Sequence, residues 1–286
     1  MYWAVPVFFM ITGALMLDPD KKISVSSLFI YVRRIMCALI LFGLPYAMLK
    51  LIPQYGVSPI ILIKAVGAVI SDTGFGHLWY LYVLMGIYLV LPVFKSFIEK
   101  AGKEELVLVI FALGTINFLF PLISNLTKLK IAFSVPFSYP VFYLLLGYIL
   151  NKNRAQIKEK RLVLLAMLLM LIAFVWFVNF KNLNATIWTA YTSPLIAILA
   201  AVIFSLFVLN DFKERKRLWG IDRLCFGAYL IHPLFIQFSY RFLKITPLNF
   251  EMYFIGALSL FVVFTILAFV ASWILMRFSL LKKYVL

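Results

Sequence analysis

Ionisable side chains within apolar stretches are the residues of this sequence that could do chemistry, and there are few of them. His77 and His232 are the only histidines in the chain. Arg33 and Arg34 stand side by side about one turn inside an apolar run. Charged and titratable groups are costly at membrane depth, so each of these four is a candidate functional residue.

Paired arginines can bind phosphate. Guanidinium groups are planar, permanently charged and able to donate two parallel hydrogen bonds to a phosphate. Arg33 and Arg34 therefore suit a nucleotide-bearing ligand that arrives from the cytoplasm. The residues alone allow a second interpretation equally well, in which both side chains anchor the helix at the inner membrane surface.

The two histidines have different settings. His232 stands nine residues after Arg223, which places it about 14 Å into the membrane on a helix. It could act as an acid or base, but a hydrogen bond to a backbone carbonyl freed by Pro233 is the favoured role. His77 begins an apolar run beside Trp79, and taken alone it fits an interfacial aromatic belt.

The elements that carry these residues are membrane helices. Hydrophobic residues make up 65% of the 286 residues and charged residues only 13%, far from a soluble composition. We predict one all-α domain over residues 1–286, a polytopic transmembrane bundle of about nine spans. The predicted spans are residues 2–17, 28–49, 77–97, 105–124, 135–150, 161–180, 189–209, 223–243 and 252–276.

The basic residues predict the topology. Twenty of the 27 Lys and Arg lie in the odd-numbered joints and the C-terminal tail, against seven in the even-numbered joints. The positive-inside rule then places the odd-numbered joints and the C-terminus in the cytoplasm, and Met1 outside. The net charge of +16 is scattered between apolar runs, so no nucleic-acid partner is expected. No Cys and His spacing suits a metal.

Two further features shape the spans. The second joint contains an apolar patch over residues 60–70, too short to span, which predicts a surface or re-entrant helix. Six prolines fall within predicted spans, where freed carbonyls need new partners, and they indicate kinked helices around a cavity. The six are Pro6, Pro45, Pro92, Pro140, Pro194 and Pro233.

Four motifs, in order and with matching spacing over nearly the whole chain, resemble the membrane acyltransferase 3 family. They are residues 5–17 (VPVFFMITGALML), the Arg33 and Arg34 pair, residues 76–82 (GHLWYLY) and residues 227–233 (GAYLIHP). More narrowly, they are similar to the bacterial branch that O-acetylates surface polysaccharides and their precursors.

The resemblance implies a function and roles. It implies transfer of an acetyl or other short acyl group from cytoplasmic acetyl-CoA or another acyl-CoA to a hydroxyl of an envelope glycan or lipid-linked sugar. Arg33 and Arg34 match the basic motif that contacts the CoA phosphates. Trp79 and Thr12 become candidate substrate-binding residues, and His77 and His232 candidate supporting residues. The setting would be a bacterial plasma membrane.

One departure concerns the catalytic group. The full family fold has ten spans, and its first helix carries an arginine and, about three turns later, the catalytic histidine. No residue here matches either position. The resemblance therefore predicts a member that lacks this helix, through a late start codon or through divergence, and its catalytic residue is unknown.

Two other functions fit the composition. A transporter or flippase of a lipid-linked sugar would have similar spans, but internal repeats and midplane charges on broken helices, both common in transporters, are not found in the sequence. A catalytically inactive membrane scaffold is the third hypothesis. The acceptor sugar, the acyl group and the oligomeric state are not determined by the sequence.

Overall fold

A computed structural model describes residues 2–73, 76–129, 131, 133, 135, 138–181, 187–188, 190–209 and 221–285, with only the backbone of Asp222. Within these residues the secondary structure is helical. Several predicted cytoplasmic cations, namely Lys213, Arg215, Lys216 and Arg217, lie outside the described residues, as do the outer Lys130 and the start of the span predicted at residues 189–209.

Twelve helices follow one another along the described chain. They are α1 (Ala4–Met16), α2 (Val25–Tyr55), α3 (Ile60–Ile70), α4 (Trp79–Lys100), α5 (Lys103–Thr127), α6 (Ser138–Lys152), α7 (Arg154–Lys158), α8 (Arg161–Phe180), α9 (Pro194–Val208), α10 (Ile221–Phe238), α11 (Tyr253–Leu275) and α12 (Ser279–Tyr284). A short 3-10 turn, Pro247–Asn249, lies between α10 and α11.

Each of the nine predicted spans overlaps one of these helices within the described residues, which confirms the all-α membrane bundle. Five helices are long and apolar enough to cross a membrane, namely α2, α4, α5, α8 and α11. The predicted short helix over residues 60–70 is confirmed as α3, a separate element. Leu162 and Phe254, on α8 and α11, are about four-fifths exposed. Such apolar exteriors suit contact with lipid.

Three segments of π-helix widen the membrane helices. Leu39–Gly43 lies within α2, Thr115–Leu119 within α5, and Ser239–Leu243 continues α10. The first two segments each end two residues before a proline, Pro45 and Pro121. Proline offers no N–H to the preceding turn, so the wider π turn is a local adjustment to the missing bond.

The prediction for the prolines is wrong at three positions. Pro6 and Pro140 are the third residues of α1 and α6, and Pro194 is the first residue of α9. At the first turn of a helix the N–H has no intrahelical partner, so proline frees no carbonyl there. Pro92 and Pro233 do lie inside their helices.

The chain forms two compact units. Unit 1 comprises Met1–Ser24 and Gly86–Phe212, and unit 2 comprises Val25–Met85 and Lys213–Leu286. The core of unit 1 is built where α1 packs on α6, around the fully buried side chains of Phe9 and Tyr143.

Glycine permits the close approach of α1 and α6. A methyl group at Gly13 would overlap the carbonyl oxygen of Leu144, and one at Gly147 would overlap the backbone of Met10. The backbones of the two helices are therefore in direct contact, as in other small-residue helix pairs. The hydroxyl of Thr12 donates to the Phe8 carbonyl of its own helix at 3.0 Å. Gly13 is therefore a packing position between α1 and α6, whereas the hydroxyl of Thr12 bonds within α1.

Unit 2 joins α2 to α10 and α10 to α11 through buried hydrogen bonds. The Tyr46 hydroxyl of α2 donates to the carbonyl of Leu230 on α10 at 2.8 Å. The Ser272 hydroxyl of α11 donates to the carbonyl of Leu224 on α10 at 2.9 Å. These bonds set α10, which carries His232, between α2 and α11.

Candidate functional site

Arg33 and Arg34 lie on α2, in unit 2, with different degrees of exposure. The Arg33 side chain is exposed and the Arg34 side chain is half-buried. The Nε atom of Arg34 is buried and has no hydrogen-bond partner within the described part of the chain. A buried donor on a charged group is costly when it is unpaired, so a ligand oxygen at this atom would stabilise the site.

The C-terminal helix adds an aromatic ring and further cations beside α2. The guanidinium carbon of Arg33 lies 5.4 Å from the centre of the Tyr284 ring. The Lys283 amine lies 5.2 Å from the same centre. One ring thus attracts two cations, and helix α12 contributes positive charge next to Arg33.

His77 lies in the turn before α4, within a cluster of rings from α2 and α10. Its ring centre is 5.5 Å from that of Tyr46 and 5.8 Å from those of Tyr229 and His232. The Tyr229 hydroxyl donates to the His77 carbonyl at 2.6 Å. The structure therefore brings together the two histidines of the chain.

The hydrogen bonds of His232 determine which of its nitrogens carries the proton. Its Nδ1 lies 2.9 Å from the carbonyl oxygen of Tyr229 and 3.3 Å from that of Ala228. A carbonyl oxygen can only accept, so Nδ1 is the donor, and in the neutral ring Nε2 keeps a lone pair.

The Tyr229 carbonyl is the one that Pro233 frees. A residue with an N–H at position 233 would donate to the carbonyl four residues earlier, and proline cannot. The predicted structural hydrogen bond of His232 is thus confirmed. The bond leaves Nε2 available as a base, so the two roles considered for His232 are compatible.

The predicted site residues divide between the two units. Arg33, Arg34, His77, Trp79 and His232 belong to unit 2, where Trp79 is the half-buried first residue of α4. Thr12 belongs to unit 1.

Sequence reasoning missed Tyr46 and Tyr229, which hold the histidine cluster. Tyr229 stands in the residues 227–233 motif, three positions before His232. That spacing places both side chains on one helix face, and it was the available signal. For Tyr46 the sequence offers no comparable signal.

The helices define a membrane protein, and the buried polar cluster is a candidate functional site in its second unit. A family model described as an acyltransferase domain, that of the acyltransferase 3 family, matches residues 1–277. The chain belongs to this family and is a membrane acyltransferase. No curated protein and no solved structure matches the chain.

Proposed function

We propose that this membrane acyltransferase moves an acetyl or other short acyl group from cytoplasmic acyl-CoA to a hydroxyl of a cell-surface polysaccharide or its lipid-linked precursor. The observation that carries the donor assignment is the buried Nε of Arg34, next to the exposed Arg33. This Nε has no hydrogen-bond partner among the residues that the structure describes. Diphosphate oxygens would pair with these guanidinium groups and offset the cost of burying the Arg34 donor.

The proposed site has two roles, the binding of acyl-CoA and the transfer of a proton. In the reaction, the acceptor oxygen attacks the thioester carbonyl, an ester bond forms, the carbon–sulfur bond breaks, and the thiol leaves. The hydroxyl proton must pass to a base. The Nε2 lone pair of His232 is suited to take it, because both bonds to carbonyl oxygens hold the ring through Nδ1. His77 packs against that ring and restricts its orientation.

The proposed cellular setting is a bacterial plasma membrane, with the C-terminus in the cytoplasm. The charge distribution supports this orientation. Arg33, Arg34 and the cations of α12 then face the compartment that contains acyl-CoA. The support for this orientation is the excess of Lys and Arg in the odd-numbered joints and the tail.

The test is transfer of label from radiolabelled acetyl-CoA to envelope glycan in membranes that contain the chain. Three proteins are compared, the unaltered chain, an Arg33→Ala and Arg34→Ala double variant, and an Arg277→Ala variant. Arg277 is a matched control, because its guanidinium also lies over an aromatic ring, that of Trp273, at 4.3 Å. We expect transfer by the unaltered chain and the control, and its loss in the double variant.

Two outcomes would overturn the proposal. One is the absence of labelled glycan with the unaltered chain at verified expression. The other is movement of a lipid-linked sugar across proteoliposomes without acetyl-CoA, which would indicate a transporter.

A further inference from the structure

Unit 2 contains a cavity of about 850 Å³ between residues of α2, the turn before α4, and the end of α10 with its π segment. Among the described residues that line it, Lys50 and Arg241 are cations and none is acidic. His77 and Tyr46 also line it. The cavity therefore joins a positively charged region to the histidine cluster.

The position of Lys50 is set by the backbone after α3. Asp72 adopts a left-handed conformation with a φ of 54°, which turns the chain. The next residue, Thr73, accepts a hydrogen bond from the Lys50 amine at 2.7 Å. An ammonium group has three donors, so this bond orients Lys50 and leaves further donors for a ligand. Burial raises the pKa of the neighbouring Asp72 carboxyl.

The remaining wall of the cavity is largely apolar. Leu49, Ile52 and Pro53 contribute from α2, and Phe238 and Phe242 from the end of α10. The amide of Gln237 is the neutral polar group among them, and it is suited to a sugar hydroxyl. Apolar walls with two cationic side chains and no acidic one suit a ligand that has an apolar part and an anionic group.

We propose that this cavity binds a lipid with a phosphate or diphosphate head group that carries the acceptor sugar. Lys50 and Arg241 bind the phosphate oxygens, and the apolar wall holds the first part of the lipid chain. The sugar then lies towards His77 and the adjoining His232. This inference rests on the proposed function. Of the two acceptors proposed there, it selects the lipid-linked precursor, held through the phosphate that joins sugar and lipid.

A binding measurement without acyl-CoA tests the site. The purified chain in detergent is titrated with a long-chain polyprenyl diphosphate, with the matching polyprenol, and with phosphatidylglycerol. The altered protein carries Lys50→Gln with Arg241→Gln. The control carries Lys64→Gln with Lys181→Gln, because these lysines lie over the rings of Tyr55 and Phe180 and do not line the cavity.

We expect the diphosphate to bind the unaltered chain and the control alike, and the Lys50 and Arg241 variant at least about tenfold more weakly, as for the loss of a charged hydrogen bond. Equal binding of polyprenol, equal binding by that variant, or equally strong binding of phosphatidylglycerol would each overturn the inference. Acetyl transfer is measured separately. Binding of the diphosphate without acetyl transfer would reject the proposed function and retain the lipid site. Acetyl transfer without binding of the diphosphate would retain the proposed function and reject the lipid site.

Discussion

The imidazole rings of His77 and His232 meet edge to face, with their centres 5.8 Å apart and their planes at 76°. The His232 ring is oriented by two carbonyl oxygens of its own helix. The backbone of His77 is held by a hydrogen bond that the Tyr229 hydroxyl donates to its carbonyl. The pair is thus held through contacts that leave the His232 Nε2 lone pair for chemistry.

Replacing His232 by asparagine or by glutamine distinguishes the roles of its two ring nitrogens. The asparagine amide can replace the Nδ1 donor to the Tyr229 carbonyl, whereas the glutamine amide lies nearer the position of Nε2. If Nε2 takes a proton, both variants lose activity by about 10²–10⁴ in kcat. His232→Asn keeps the thermal stability of the unaltered chain. If His232→Asn kept the kcat of the unaltered chain and His232→Gln did not, His232 would act through its hydrogen bond to the Tyr229 carbonyl and not as a base.

The hydroxyl of Tyr229 supports the turn that carries His77. In Tyr229→Phe the His77 carbonyl loses its hydrogen-bond donor. We expect the free energy of unfolding to fall by about 1 kcal/mol. We also expect a lower kcat with an unchanged KM for acyl-CoA. Thermal unfolding in detergent and steady-state kinetics measure the two effects. Tyr253→Phe is the control, because that side chain is exposed at the start of α11, and it should behave as the unaltered chain.

Arg34 should not be replaceable by lysine. Lysine keeps the positive charge but has no Nε donor and cannot form a planar, two-bond pair with a phosphate. We expect Arg34→Lys to weaken acyl-CoA binding by about 10- to 100-fold, corresponding to one or two charge-assisted hydrogen bonds. Titration of the purified protein with a non-hydrolysable acyl-CoA measures it. Arg277→Lys serves as the comparison, and equal affinities of the two variants would contradict the assignment.

The stability of unit 1 depends on the contact of α1 with α6. An added methyl group at Gly13 would overlap the Leu144 carbonyl, so Gly13→Ala forces two backbones apart. We expect a loss of about 1–3 kcal/mol, typical of overpacking, read as a lower midpoint of thermal unfolding. Gly67→Ala on α3 is the matched control, since nothing lies within 4 Å of the added carbon. The control should be neutral or slightly stabilised.

The membrane architecture and the positions of the predicted spans could be read from the sequence, whereas the short helices α7 and α12 were not predicted. The apolar run of residues 161–180 has the same bounds as α8, and the short patch of residues 60–70 is α3. Such runs are local, and the exclusion of polar groups from lipid makes them regular. The bond from His232 to the carbonyl freed by Pro233 was also predictable, because both partners lie within one turn of α10.

The arrangement of the histidine cluster was decided only by the tertiary structure. His77 and Tyr229 are 152 residues apart, and their contact depends on how α10 packs beside the turn that precedes α4. Helix packing also brings three side chains from distant parts of the sequence to one cavity, namely those of Lys50, His77 and Arg241. The sequence by itself determined that this protein lies in a lipid bilayer and where its membrane helices run, because the length of an apolar run is a local property of the chain. Which polar groups meet was left to helix packing, because side chains on separate membrane helices carry no common local pattern.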